Sequence, residues 1–180
     1  LIVKASVMAY RKIKAELLPT PSRSHYTFNL RDLSRVFQGI LLTNMNSLSD
    51  PQTFIKLFLH ENMRVFGDRL INDTDRAQMI QTIYEIAKNV LKVKEEMSAI
   101  FYDQPLIWTD ILKGYGTESS NRSYQEATSM VQITAALRTF TDMYKTQVVL
   151  FKEAIEHILR IVRVMRQPSG HMLLVGMGGT

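Results

Sequence analysis

The stretch His25-Tyr-Thr-Phe-Asn-Leu-Arg-Asp-Leu-Ser-Arg-Val-Phe-Gln-Gly-Ile40 decides the fold around it, because a helix start signal is followed directly by a helical pattern. The side-chain oxygen of Asn29 can accept a hydrogen bond from the free backbone amides of a first helical turn. Beyond it, apolar residues recur every three or four positions: Leu30, Leu33, Phe37, Ile40 and Leu41. The sequence therefore predicts an amphipathic helix that begins after Asn29 and ends near Leu42.

Helical patterns of the same kind lie on both sides of this stretch. Residues 2–16 carry apolar groups at helical spacing and stop at Leu18-Pro-Thr-Pro21, where two prolines cannot continue a helix. Asp50-Pro51 begins another helix, since a capping residue followed by proline suits a first turn, and Gly67 weakens its end. A fourth helix follows the capping cluster at 72–75 and extends to about residue 91. These patterns predict a mainly α fold.

The strongest helical pattern occupies Val149–Arg166. One side of this predicted helix is apolar, with Phe151, Ala154, Ile155, Ile158, Ile161, Val162 and Met165, and the other carries Lys152, Glu153, Glu156, Arg160 and Arg163. Upstream, residues 100–122 lack clean periodicity and predict a surface loop with short ordered pieces. A weaker helical spacing returns from Ser123 to about Tyr144.

The C-terminal residues show a pattern typical of a phosphate-binding loop. Gln167-Pro-Ser-Gly170 breaks the last helix, and Met172–Val175 predicts a buried strand. The next residues supply the first glycine and the four variable positions of G-x-x-x-x-G-K-[ST], in the order Gly176, Met177, Gly178, Gly179 and Thr180. Glycines allow backbone amides to turn toward phosphate oxygens. The preceding apolar run favours this loop, and a flexible glycine-rich tail stays open as the alternative.

Composition restricts the classes of protein to which the chain can belong. With 180 residues, of which 46% are hydrophobic, it can bury a core. The absence of cysteine excludes disulfides, cysteine-ligated zinc and thiol catalysis, and the apolar runs are too short for a transmembrane helix. The net charge of +5 comes from interleaved basic and acidic residues, which favours a solvated mixed-charge surface over nucleic-acid binding. Because the first residue is Leu and the last lies inside a motif, we expect a piece of a longer polypeptide.

Catalytic and metal-binding patterns are weak. The four histidines occupy separate predicted elements without metal-ligand spacing, which favours structural roles. No turn of the G-x-S-x-G type supports a hydrolytic triad. Arg160, Arg163 and Arg166 form a basic strip on the last predicted helix. This strip could meet phosphate, an acidic protein surface or a neighbouring subdomain, while a solvated helix face or an intramolecular contact is favoured.

Several quoted motifs, taken together, resemble dynein heavy chains, and the axonemal class more than the cytoplasmic one. They are Leu17-Leu-Pro-Thr-Pro21 with the stretch 25–40, His60-Glu61, Arg64-Val-Phe-Gly-Asp-Arg-Leu70, Val149-Leu-Phe-Lys-Glu-Ala-Ile-Glu-His157, and Arg166 to Gly179. The resemblance implies that a helical AAA+ lid of the third ring module is followed by the opening of the fourth. We therefore expect a lid at 1–92, a variable connector with a helical segment at 93–145, and at 146–180 the helix, first strand and truncated P-loop of an α/β module.

The resemblance also implies a set of nucleotide-binding residues. Arg31 stands where such lids place a sensor arginine that reaches the terminal phosphate of a nucleotide bound to the preceding subdomain. Gly176, Gly178, Gly179 and Thr180 match the phosphate loop, while Val149 and Leu150 match the segment that lies against the adenine. A guanidinium suits this task because it offers several donors in a planar fork. The alternative is that Arg31 only pairs with Asp32 or Asp75 on the surface.

By the same resemblance, the chain is a fragment of a motor ring that couples ATP binding and hydrolysis to microtubule-based movement. ATP or ADP with Mg would be bound mainly by residues outside it, and no catalytic or metal-binding residue is assigned. The expected partners are the rest of the heavy-chain ring, other dynein chains and, only through the parent motor, the microtubule, without nucleic acid or membrane. The expected location is the cytoplasm and cytoskeleton, in a ciliary or flagellar axoneme. The alternative function is a free-standing helical scaffold that binds a protein partner through an apolar stripe.

Overall fold

The structure, a computed structural model, describes residues 1–44, 48, 50–103, 106–113, 123–145 and 148–176. The α-helices of this part of the chain are α1 (Ile2–Glu16), α2 (Leu30–Ile40), α3 (Pro51–Val65), α4 (Asp73–Ile86), α5 (Met130–Met143) and α6 (Lys152–Arg166). Two short strands, β1 (Trp108–Thr109) and β2 (Gln125–Glu126), form an antiparallel pair. The mainly α fold predicted from the sequence is thus confirmed.

Helices α1 to α4, here called the four-helix unit, share one hydrophobic core. α1 packs on α4, α2 on α3, and α3 on α4. The helices contribute buried side chains at helical spacing, among them Ala5, Ala9 and Ile13 of α1, Phe58 and Leu59 of α3, and Met79 and Ile83 of α4. Burial of each large apolar side chain contributes about 1.5–3 kcal/mol, which is why the amphipathic pattern determines how these helices pack.

Caps read from the sequence set where these helices begin. Asn29 precedes α2, and Asp50 precedes α3 with its carboxylate accepting from the backbone amide of Thr53 at 2.9 Å. Pro51 occupies the first turn of α3 as expected, and the chain leaves that helix through a 3₁₀ turn at Gly67–Arg69. α4 continues into a π-helical turn at Ala87–Leu91, so the fourth helical segment ends where the sequence predicted.

The segment between the four-helix unit and α6 contains more order than its sequence indicates. A π-helical turn spans Ala99–Asp103, a 3₁₀ turn spans Ile111–Lys113, and β1 pairs with β2 so that Trp108 faces Glu126. The helix expected from Ser123 begins only at Met130, because residues 125–126 are used in the strand pair and Ser129 caps the helix that follows. Trp108 and Tyr124 pack on Leu57 of α3, which attaches this segment to the four-helix unit.

Helix α6 packs on β1 and shares a hydrophobic cluster with α5 rather than lying free. Ile155 and Leu159 join Ile133 and Leu137 of α5 in a second hydrophobic cluster. The predicted apolar side was partly wrong: Leu159 is buried although it was not included, while Phe151 and Met165 are exposed. Phe151 precedes the first turn, so helical periodicity does not apply to it, and Met165 is not part of this cluster.

The strand predicted at Met172–Val175 is not formed. Residues 171–176 are irregular, and Leu173 and Val175 are each 86% exposed. A strand needs a neighbour for its backbone hydrogen bonds, and the strands of the described chain pair only with each other. The remaining residues of the predicted phosphate loop, 177–180, lie outside the described residues. None of the described helices has the length and apolar character needed to cross a membrane.

Candidate functional site

The amino end of α2 is fixed by a reciprocal capping box. The side-chain oxygen of Asn29 accepts from the backbone amides of Arg31 at 2.8 Å and Asp32 at 3.3 Å. In return, the Asp32 carboxylate accepts from the backbone amide of Asn29 at 3.0 Å. Three backbone amides donate to side-chain oxygens in this way, so the first turn of α2 is held in one conformation.

The Asp32 carboxylate is already neutralised by other arginines. It is buried, and Arg69 lies 3.1 Å from it while Arg35 lies 3.6 Å from it. Arg69 also donates to the backbone carbonyl of His25 at 2.7 Å and stands over the ring of Phe28. Arg69 therefore ties the loop before α2 to the end of α3, and Asp32 is one of its anchoring points.

Asp75, at the start of α4, is occupied as well. Both of its carboxylate oxygens accept from Arg23, at 2.6 and 2.9 Å, and the Tyr26 hydroxyl donates to one of them at 2.8 Å. The hydrogen bond from Arg23 lowers the pKa of Asp75 below its usual value, since it stabilises the ionised carboxylate. Like Asp32, this carboxylate is not left for Arg31.

Arg31 itself is exposed on the first turn of α2. Its guanidinium forms no hydrogen bond or ion pair with any part of the chain that the structure describes, so the alternative of a pair with Asp32 or Asp75 is wrong. A cation in a first helical turn also opposes the helix dipole, at a cost of about 0.3–1 kcal/mol. The geometry leaves Arg31 able to receive an anion from outside the chain, and its role as a sensor stays a prediction.

The predicted site residues near the C-terminus belong to a different part of the molecule. Val149 is 82% exposed just before α6, whereas Leu150 is partly buried against the cluster of α5 and α6. Gly176 is the last described residue, and Gly178, Gly179 and Thr180 lie outside the described residues. Within the described ranges, the structure records no hydrogen bond between Arg31 and these residues.

The basic strip on α6 faces acidic residues of the same chain. Arg160 lies 3.3 Å from Asp68, Arg163 pairs with Glu61, and Arg166 lies 2.6 Å from Asp110. Asp68 and Glu61 belong to the four-helix unit and Asp110 follows β1, so the three arginines fasten α6 to two other segments. Of the interpretations left open by the sequence, the intramolecular contact is correct. Placing Arg163 on the charged outer side was wrong, since its side chain is only 10% exposed.

The contact between Glu61 and Arg163 is the most buried of the three. Glu61 is 0% exposed and accepts from Arg163 Nε at 3.1 Å and from the Tyr124 hydroxyl at 2.7 Å. Its neighbour His60 bonds to the carbonyl of Leu106 at 2.9 Å and lies 3.1 Å from the Tyr124 hydroxyl. Burial, assisted by the charge of Arg64, lowers the pKa of His60 well below its usual value, so the ring is neutral. Burial also raises the pKa of Tyr124 well above its usual value, which keeps the hydroxyl protonated.

A cleft of about 470 Å³ lies between α3, α4, α6 and the π-helical turn at Ala99–Asp103. Arg64, Asp68, Lys152 and Arg160 contribute charged groups to its walls, and no residue of α2 lines it. Among the described residues, no group of three or more histidine or acidic side chains is arranged to hold a metal ion. The spacing of three between the arginines of α6 indicated their intramolecular contact in the sequence, but it did not identify the acidic partners Glu61, Asp68 and Asp110.

Known proteins match the chain in two regions and over its length. Residues 2–99 match the AAA+ lid domain, and residues 146–180 match the P-loop containing dynein motor region D4. The chain is 38% identical over 99% of its length to dynein axonemal heavy chain 6 of Homo sapiens, and 39% identical over its full length to dynein axonemal heavy chain 3 of Mus musculus. It spans 4% and 5% of the length of these two relatives.

Proposed function

The chain belongs to the AAA+ lid domain family and is a segment of a dynein motor ring, and on that premise we propose that it serves as the nucleotide-sensing lid of one ring module and the connector to the next. The parent motor would couple ATP binding and hydrolysis to movement along microtubules. Similarity that covers nearly the whole chain favours this function over a free-standing scaffold.

The observation that carries the proposal is the isolation of the Arg31 guanidinium. It is presented on a capped helix turn, while the two carboxylates considered as its partners, Asp32 and Asp75, are held by Arg23, Arg35 and Arg69. A guanidinium forms short, charge-assisted bonds with phosphate oxygens. Loss of a terminal phosphate on hydrolysis would remove its partner outright, and the position of α2 would then depend on the state of the nucleotide.

The nucleotide of this proposal is ATP or ADP with Mg, and most of its binding groups lie outside the chain. The segment supplies Arg31 to one nucleotide, and Val149, Leu150, Gly176, Gly178, Gly179 and Thr180 to the next site along the ring. The exposure of Val149 supports a contact with an adenine ring. In this proposal the Mg ligands come from elsewhere in the parent, and the segment alone does not hydrolyse ATP.

Domain boundaries and cellular context complete the proposal. We assign residues 1–92 to the lid, 93–145 to the connector and 146–180 to the start of the next module. The heavy chains to which the segment is similar are named axonemal, which supports a place in the cytoskeleton of a cilium or flagellum. The rest of the ring would contact the segment directly, together with other dynein chains, and the microtubule would be reached only through the parent motor.

The test is Arg31→Ala in the intact heavy chain that contains this segment. We expect ATP turnover and nucleotide-dependent release from microtubules to fall, because the lid no longer detects the terminal phosphate. The matched control is Arg11→Ala, which removes an exposed arginine from α1. Unchanged turnover and release in the Arg31 variant would overturn the sensor assignment, and an equal loss in both variants would show that the effect is not specific to Arg31.

A further inference from the structure

The backbone of α2 touches the buried ion pair directly at Gly39. A methyl group at this position would overlap the carboxylate of Glu61 and would lie 2.8 Å from Nη2 of Arg163. Gly39 is buried, and the atoms that a side chain would meet are the two charged groups themselves. The glycine is therefore required for close approach: α2 rests on the pair with no side chain between them.

Four separate segments meet at the Glu61 carboxylate. Glu61 comes from α3, Arg163 from α6, and the Tyr124 hydroxyl from the residues just before β2, while the α2 backbone closes the fourth side. Because the carboxylate is fully buried, separating it from Arg163 would leave a charge without water to solvate it. The arrangement favours one position of each segment relative to the others.

The other two arginine contacts of α6 differ from this pair in the exposure of the arginine and in the absence of a contact with α2. Asp68 lies in the turn after α3, and Asp110 directly follows β1. Their partners Arg160 and Arg166 are more exposed than Arg163. Within the described residues, neither contact includes an atom of α2. Of the three arginine contacts, the pair of Glu61 and Arg163 is the one at which a movement of α2 would displace α6.

The same helix carries Arg31 at its opposite end. α2 has 11 residues and is about 16 Å long at about 1.5 Å per residue, and its first turn is fixed by the capping box. A helix of this length moves as a rigid element, so a displacement at Arg31 reaches Gly39. The contact between Gly39 and the ion pair then passes the displacement to Arg163.

We propose that Glu61 is a positioning residue that locks α2 to α6, with the junction of Gly39, Glu61 and Arg163 (the α2–α6 joint) carrying the orientation of the lid to the C-terminal module. The physical contact stands on the structure alone, and only its use in transmission rests on the proposed function.

The experiment measures the distance between α2 and α6 with spin labels. The chain contains no cysteine, so Gln38→Cys and His157→Cys place unique labels on exposed positions of the two helices. A second pair, Gln38→Cys with Ala77→Cys on α4, reports movement inside the four-helix unit. Gly39→Ala forces the ion pair apart without removing a charge, and Glu61→Gln removes the charge while keeping the shape.

We expect both substitutions to shift the α2–α6 distance distribution to longer values and to broaden it, while the α2–α4 distribution stays unchanged. Gly67→Ala is the matched control, since a methyl group there meets first the flexible end of the Met63 side chain, at 2.8 Å. An unchanged α2–α6 distribution in folded Gly39→Ala and Glu61→Gln chains would overturn the proposal. Equal broadening of both distributions would also overturn it, because Glu61 would then support the fold in general.

A milder variant keeps the test decisive if these chains fail to fold. Arg163→Lys retains the charge but loses the planar fork, and we expect a smaller shift of the α2–α6 distribution in the same direction. An unchanged distribution in that variant would count against the joint. Because the measurement needs no nucleotide, its outcome is independent of the sensor role. Arg31→Ala should leave the distance unchanged, so the sensor assignment can fail while the joint stands, and the reverse also holds.

Discussion

Arg31 on α2 and Arg163 on α6 are the same residue type on two amphipathic helices, but their surroundings are opposite. Arg163 is 10% exposed and shares a fully buried carboxylate with Tyr124, whereas Arg31 is exposed while the acids around it are bound by other arginines. The difference shows that the fold uses arginine both as an internal fastener and as an open donor. The surrounding carboxylates, and not the helical pattern, decide between these two uses.

The largest effect on the free energy of unfolding is expected when the buried pair of Glu61 and Arg163 is disrupted. Glu61→Ala leaves Arg163 without its carboxylate in a region closed to water, so the free energy of unfolding should fall by about 3–5 kcal/mol. Urea denaturation followed by circular dichroism measures the change. The double variant Glu61→Gln with Arg163→Met should recover part of the loss, because no uncompensated charge remains. A loss below about 1 kcal/mol in the single variant would contradict the buried pair.

The neutral ring of His60, which lies beside the buried pair, should make the free energy of unfolding depend on pH. Its pKa is lowered well below the usual value, so below about pH 6.5 the unfolded chain binds a proton that the folded chain does not. Stability should therefore fall as the solution is acidified, by about 1.4 kcal/mol in all between about pH 7.5 and about pH 5.5, with the slope steepening below about pH 6.5. Urea midpoints between about pH 7.5 and about pH 5.5 measure this slope.

A matched pair of histidine variants isolates that slope. His60→Gln should flatten it even if the variant is less stable at every pH, while His157→Gln, which alters an exposed residue of α6, should leave it in place. The same slope in wild type and in His60→Gln would show that other groups are responsible.

A smaller effect is expected at the amino end of α2, where the comparison can be sharpened. Asn29→Ala removes the side-chain acceptor for the amides of Arg31 and Asp32, and it should lower the free energy of unfolding by about 1 kcal/mol. Asn29→Ser keeps an acceptor and should cost much less. Chemical denaturation distinguishes the two variants, and equal losses would mean that the cap does not hold the turn.

The smallest effect is expected for Arg31→Ala. Because Arg31 has no partner among the described residues, the free energy of unfolding should change by less than about 0.5 kcal/mol, and the change should be a gain since a cation leaves the first helical turn. Arg163→Ala, measured side by side, should be far more costly. A loss above about 1 kcal/mol for Arg31→Ala would show that Arg31, like Arg163, stabilises the fold through internal contacts. It would remove the basis for its assignment as an open donor.

Local signals in the sequence predict most of the helices. Asn29, the Asp50-Pro51 pair and the prolines at 19 and 21 act on their immediate neighbours, so the sequence alone placed the starts of α2 and α3 and the end of α1. Short-range chemistry of this kind depends on residues three or four positions apart and can be read directly.

What the sequence did not predict depends on distant residues. β1 and β2 have only two residues each and pair with each other across the connector. Strands this short show no periodicity in the sequence that would predict them. The partners of Arg160, Arg163 and Arg166 outside α6 are between 56 and 102 positions away and become visible only when the chain is folded. For Arg31 the sequence indicated an exposed cation at a helix start, but the commitment of Asp32 and Asp75 to other arginines required the structure.

The exposed run from Met172 to Val175 has a practical consequence for handling the purified chain. Four adjacent apolar side chains are exposed to solvent. An exposed run of this kind pairs readily with an identical run on another molecule. Concentrated samples should therefore form oligomers through this tail, and light scattering at rising protein concentration would detect them. A charged residue in place of Leu174 should keep the sample monodisperse while leaving α1 to α6 unaltered.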